Sequence, residues 1–426
     1  MKIRTKTLSY ERVSALPRPK RWLPKKPNVF FRTLLRVVSQ FDLWAARFRY
    51  TGSLPKEDGP YLILMNHSSF IDLEIVHRIL YPRPFGIVCT SDGLVGKRWL
   101  MHQLGCIPTQ KFVSDISLIG DMRHLLREKN TSVLMYPEAS YSFDGCATPL
   151  PRRMGILLKK LDVPVVYIRT EGAFTRDPLY NGLQKRKVAV SAHVECLFTR
   201  EQIREQSVEE LDAALDEAFT FDHFAWQRDN GITVDAPFRA DGLHRILYRC
   251  PHCGAEGQML GEGIRLTCQA CGKMYEMDTL GRLAATDGDT AFSHIPAWYA
   301  WQREQVRQEL TDGTYRLDTP VDIAMMVDYK AIYKVGNGRL IHDGEGFRLT
   351  GCEGKLDYSQ SPKANYGLYA DYYWYELGDV ICIGDKNALY YCFPPAGVPV
   401  AKARLAAEEL YKLTRRNRRP AATMQS

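Results

Sequence analysis

A chain of 426 residues exceeds one ordinary hydrophobic core and implies two or three domains. Its 45% hydrophobic and 25% charged residues exclude disordered and fibrous classes, and no run of about 18 apolar residues is present to span a bilayer alone. The net charge of +8 is uneven: residues 1–50 hold thirteen Lys or Arg against Glu11 and Asp42 only, so the remainder is slightly acidic, and the basic arm points to an anionic partner, phospholipid headgroups or nucleic acid.

Residues 1–27 are basic and proline-rich and read as irregular. The first twenty, broken by Pro17 and Pro19, form no secretory signal, so a cytoplasmic protein is expected. Across 28–50 apolar residues recur at helical spacing, with Arg32, Arg36, Arg47 and Arg49 between them. Such a helix either lies in the headgroup plane with its arginines on phosphates or packs on its own domain. A strand–helix alternation follows: strands at 61–65, 86–90, 132–136, 163–168 and 188–194, and helices at 70–80, 119–127, 154–161 and 207–221. This pattern predicts an α/β domain over 51–225, a mixed sheet flanked by helices. Residues 245–280 form a cysteine-bearing module. The segment 290–416 is β-rich, with short strands at 323–327, 331–335, 372–377, 380–383 and 388–393 and an amphipathic helix over 399–415. Several antiparallel strands capped by one C-terminal helix resemble a pleckstrin-homology-like module. Trp298, Tyr299 and Trp301 either sit at a membrane interface or wedge between domains, and His294 reads as structural.

The chemistry concentrates after the first of those α/β strands, in Met65-Asn66-His67-Ser68-Ser69-Phe70-Ile71-Asp72. If a helical turn begins near Ser68, the Asp72 carboxylate folds back onto the imidazole. It then accepts from one ring N–H and leaves the other nitrogen as a base for a bound alcohol. A lone His-x4-Asp is weak evidence, but three further segments follow it in order: Gly105-Cys106-Ile107-Pro108-Thr109-Gln110-Lys111, Tyr136-Pro137-Glu138-Ala139-Ser140-Tyr141-Ser142, and Val163-Pro164-Val165-Val166. Together these four segments resemble the conserved blocks of the glycerolipid acyltransferase family, the 1-acylglycerol-3-phosphate acyltransferases and relatives, over about half the chain.

The resemblance implies acyl transfer from a thioester on coenzyme A or acyl carrier protein to a lysophospholipid hydroxyl, lysophosphatidic acid first among acceptors. His67 would be general base and Asp72 its orienting partner, while Glu138 and Ser140 would help bind the acceptor. The sequence departs from the family where a phosphate would be held. Lys111 stands for the second-block arginine, keeping charge but losing the bidentate fork, and Tyr141 stands for the third-block arginine. Arg152 and Arg153 are the candidates for the missing cation.

Cys250-Pro251-His252-Cys253 and Cys268-Gln269-Ala270-Cys271 are two knuckles separated by fourteen residues. Four thiolates select a tetrahedral zinc with no open position, hence a structural zinc ribbon. The other cysteines, scattered through apolar stretches, argue against a disulfide framework. Ribbons often bind nucleic acid, but the ribbon loop carries Arg265 as its one cation, so nucleic acid is an unlikely partner. The expectation is an acyltransferase held peripherally on the inner face of the cell membrane. A catalytically silent lipid-binding adaptor is the rival.

Overall fold

The computed structural model describes residues 2–55, 59–113 and 115–416. Its first half is organised by a seven-stranded sheet. The spatial order is Arg49–Gly52, Ser191–Phe198, Val165–Glu171, Leu62–Met65, Ser132–Met135, Phe85–Thr90 and Cys106–Thr109. All neighbours are parallel except Val165–Glu171 against Ser191–Phe198. The central strands Leu62–Met65 and Ser132–Met135 are buried at every position, which is why they read as continuous apolar runs rather than alternating ones. Helices Ile71–Leu80, Ile116–Arg123, Met154–Leu161 and Val208–Ala218 flank the sheet. The last begins with a capping box: the Glu210 N–H donates to Ser207 Oγ (3.1 Å), and the Ser207 N–H to Glu210 Oε2 (2.7 Å). The mixed sheet flanked by helices is as the sequence predicts.

The second half holds two further sheets. Met259–Glu262, Arg265–Cys268, Met274–Met277 and Leu283–Ala285 form an antiparallel ribbon that reaches five residues beyond the 245–280 module read from the cysteines. An eight-stranded sheet follows, antiparallel through Leu356–Gln360, Gly346–Gly351, Ile332–Asp343, Leu317–Met326, Leu389–Phe393, Gly378–Gly384 and Tyr369–Trp374. Its eighth strand and the short helix Tyr10–Ser14 correct the irregular reading of residues 1–27 in its first half, while 15–27 hold no helix or strand. Thr5–Thr7 pairs in parallel with Ile332–Asp343, and Arg21 reaches Asp121 at 2.5 Å. The basic arm is therefore wound back onto the protein. The C-terminal helix Val400–Arg416 lies on the strands Tyr369–Trp374 and Gly378–Gly384, as the sequence predicts, and Ile295–Thr311 packs against that helix.

The aromatic cluster at 298–301 lies on Ile295–Thr311. Trp298 is fully buried, its indole N–H donating to the Arg249 carbonyl (3.0 Å) and its ring edge-on to Tyr275 (5.0 Å). It wedges the ribbon against the β-rich half, and those two regions share one hydrophobic core.

The helix Val29–Ala45 is turned the other way. Only Ser39 and Leu43 are buried, while Phe30, Val37, Val38, Phe41 and Trp44 stand out from the surface, Trp44 at 84% exposure. Arg32 and Arg36 turn inward instead, and Asp42 pairs with Arg176 (2.6 Å) and Lys185 (2.7 Å). The apolar face is presented outward and the polar face is against the protein. No helix among the described residues is long and apolar enough to cross a membrane.

Candidate active site

The strand Leu62–Met65 delivers loop 66–70 to the carboxyl edge of the parallel sheet, where such sheets place their ligands. Asn66 fastens the loop to the next strand, accepting from the Thr170 N–H (2.8 Å) and donating to the Thr170 carbonyl (3.2 Å). Asp72 lies in the first turn of Ile71–Leu80 and is fully buried. Its Oδ2 accepts from the Ser68 N–H (2.8 Å), the Ser69 N–H (3.0 Å) and His67 Nδ1 (3.1 Å). The carboxylate thus folds back as the spacing predicts, stabilised by the helix N-terminus on which it sits.

The surroundings of His67 were not legible beforehand. The Tyr136 ring lies 4.0 Å from the imidazole at 23°, and the Tyr141 ring 4.1 Å from it at 31°. Two rings that close and that nearly parallel cannot share one face, so the imidazole is sandwiched and only its edge is open. The side chain is 21% exposed. Burial pushes its pKa below the ordinary histidine value, with Asp72 pulling the other way.

Glu138, expected beside the acceptor, is turned inward. Its Oε2 accepts from the His67 N–H (3.0 Å) and its Oε1 from the Thr148 N–H (2.9 Å), and it is 1% exposed. Burial raises its pKa to about 7, opposed by those two N–H donors. In this arrangement it holds the backbone that carries His67. The Ser142 N–H adds a bond to the His67 carbonyl (3.2 Å), so the first and third blocks are laced together. Between them Ala139 adopts φ 57°, a left-handed conformation that favours glycine.

A cavity of ≈ 900 Å³ opens on the His67 edge. One wall is the α/β domain, with Lys111, Tyr136, Tyr141 and apolar Ile87, Val88 and Met135; the other comes from the β-rich half, with Tyr366, Tyr369, residues 371–376 and Tyr411. Lys111 lies within this cavity, its Nζ 4.1 Å above the Tyr369 ring. Arg152 and Arg153 are exposed and are not among the lining residues; Arg153, at φ 63°, starts the helix Met154–Leu161. The cation that does reach the third block comes from the C-terminal helix. Buried Arg404 donates from Nη2 to Ser140 Oγ (3.1 Å), lies 4.1 Å over the Phe143 ring and pairs with Glu408 (3.2 Å). Ser140 is accordingly buried beneath Arg404. Nothing in the third block signals a partner 264 residues away. The tyrosine density of 366–375 was the available sign of the second wall.

The four cysteine sulfurs of the ribbon lie within 4.8 Å of one another, with Cys250–Cys271 at 3.9 Å and Cys253–Cys268 at 3.7 Å. A tetrahedral ion with metal–sulfur bonds of about 2.3 Å sets its sulfurs roughly 3.8 Å apart, so this set can hold one metal ion. Gly254 and Gly272 follow the knuckles at φ 76° each, where a side chain would be strained, and donate to the Cys250 and Cys268 carbonyls (2.9 and 2.8 Å). His252 is not part of the cluster.

Residues 47–170 match the acyltransferase family model. Among curated proteins the chain is similar to the chloroplastic 1-acyl-sn-glycerol-3-phosphate acyltransferase BAT2 of Brassica napus, 25% identical over 154 residues, 35% of this chain and 43% of that protein. The chain thus spans less than half the length of that relative. Among solved structures it is similar to the 1-acyl-sn-glycerophosphate (LPA) acyltransferase PlsC of Thermotoga maritima, at 15% identity and a TM-score of 0.31, over 43% of this chain and 80% of that one. The His67–Asp72 pair lies inside the matched segment, so the site's geometry and the acyltransferase family model fall on the same residues, 47–170.

Proposed function

We propose that this protein transfers an acyl group from an acyl thioester, on coenzyme A or acyl carrier protein, to the free hydroxyl of a lysophospholipid. The carrying observation is the His67–Asp72 pair opening on the ≈ 900 Å³ cavity. With Nδ1–H donated to Asp72, Nε2 keeps its lone pair, and burial keeps the ring neutral near pH 7. Nε2 takes the acceptor's proton as its oxygen attacks the thioester carbonyl. The C–S bond then breaks, the imidazolium returns the proton to the leaving thiolate, and an ester and a thiol remain. Asp72 stabilises the imidazolium and fixes its tautomer. Both named relatives act on 1-acyl-sn-glycerol 3-phosphates, which supports the lysophospholipid class.

Two further parts complete the reading. The outward apolar face of Val29–Ala45 supports docking on a membrane surface, since a contiguous exposed apolar patch calls for an apolar partner. The four cysteines hold a structural zinc, which orders the ribbon and has no position left for substrate. The test supplies purified protein with radiolabelled acyl-CoA or acyl carrier protein and lysophospholipids in anionic vesicles. Labelled diacyl product, abolished in His67→Ala with fold and metal content retained, is the expected result. Equal turnover by that variant overturns the mechanism.

A further inference from the structure

The family resemblance leaves the acceptor's headgroup open, because Lys111 and Tyr141 stand where two arginines are expected. The wall supplied by the β-rich half bears on it. Asp371 lies on the strand Tyr369–Trp374, two residues after the tyrosine whose ring carries Lys111. It lines the same cavity as Lys111 and His67. Its Oδ1 accepts from the Tyr372 N–H (2.9 Å), and among the described residues it makes no ion pair. Burial raises its pKa to about 6, and Lys111 is the charge that does most to lower it. Its field also reaches Tyr141. The segment after it is strained: Tyr373, Tyr375 and Glu376 hold φ values of 50°, 45° and 64°, left-handed conformations of non-glycine residues that cluster where a ligand is gripped.

A phosphomonoester carries about −1.5 to −2 at neutral pH, and it asks for more cation than a single lysine set beside a carboxylate. The cavity wall instead sets a carboxylate, Asp371, beside its cation Lys111. A carboxylate among tyrosine faces is a setting that attracts an organic ammonium. We infer that the acceptor headgroup is zwitterionic, its phosphodiester held by Lys111 and its ammonium by Asp371 and the tyrosines of the second wall. This rests on the acyl-transfer reading and refines its substrate class. Primary and quaternary ammonium headgroups share this chemistry.

The experiment compares kcat/KM of the full chain for lysophosphatidic acid, lysophosphatidylethanolamine and lysophosphatidylcholine of one chain length, with one labelled acyl donor. Either zwitterion is expected to exceed lysophosphatidic acid by about tenfold or more, the range of one charge-assisted contact. Asp371→Asn is expected to remove most of that preference through KM. Ethanolamine alone preferred indicates a hydrogen-bonded ammonium, and both preferred a cation held by ring faces; each supports the inference. Equal or greater use of lysophosphatidic acid by the unaltered protein overturns the headgroup inference and leaves acyl transfer standing. A preference that Asp371→Asn does not change overturns the assignment to Asp371. Turnover of no acceptor overturns the acyl-transfer reading and the inference with it.

Discussion

The two walls of the cavity are built differently. The α/β wall takes its chemistry from neighbours in sequence: His67 and Asp72 five residues apart, and Glu138 to Ser142 in one loop laced to the His67 backbone. The β-rich wall takes Tyr366 to Glu376 from one edge of an eight-stranded sheet and Tyr411 from the C-terminal helix. Its chemistry reaches the first wall through Arg404 on Ser140. A base and its orienting group need sub-ångström placement, which a strand end followed by a helix turn supplies locally. Recognition of a headgroup needs only a second surface at the right distance, and that surface can come from anywhere in the chain.

The contrast can be broken at several points. His67→Ala should have the largest effect, a loss of about 10²–10⁴-fold in kcat with every acceptor, the range that general-base removal typically costs. The unaltered enzyme should show an acid limb below pH 6.5, since the folded imidazole has a lowered pKa and must be neutral to act. A limb above that value would count against His67 as base. Cys268→Ser should come next. Losing a metal ligand uncouples the ribbon that shares its core with the β-rich half. Metal content should fall, the melting temperature should drop by many degrees, and KM should rise more than kcat falls. An unchanged melting curve would separate the ribbon from the second wall.

Arg404→Ala should have a smaller effect. It frees Ser140 and removes one of the two arginines on buried Glu408, with Arg303 still paired (2.6 Å). About tenfold in kcat is expected, partly rescued by Arg404→Lys, which keeps the charge and loses the fork. No change in kcat would show that the third block holds its shape without the C-terminal helix. Ala139→Gly should have the smallest effect. Relief of left-handed strain, about 1–2 kcal/mol, is partly offset by about 0.4–1 kcal/mol of unfolded-state entropy, so the melting temperature should rise by a few degrees at most. A fall would mean that the Ala139 methyl, which lines the cavity, packs usefully there.

Much of the α/β half was legible because its signals are short-range. Buried parallel strands read as apolar runs, the Ser207–Glu210 box marks a helix start, and two Cys-x2-Cys knuckles bring four sulfurs together. The strands at 346–351 and 356–360 were not read, because their exposed and buried positions depend on partners across the sheet rather than on their own pattern. Tyr141 read as a lost arginine, and only folding shows it stacked on His67. Glu138 read as an acceptor ligand, and only folding turns it onto the His67 N–H.

The sequence by itself determined the His67–Asp72 pair, the α/β domain that carries it and the four-sulfur cluster, because each depends on residues a few positions apart whose geometry one turn or knuckle dictates. The tertiary structure alone decided that the basic arm threads Thr5–Thr7 into the far sheet, that Val29–Ala45 faces its apolar side outward, and that Asp371 and Arg404 reach the site. Those outcomes depend on which distant surfaces bury one another, and that choice is made by the summed packing of the whole chain rather than by any segment of it.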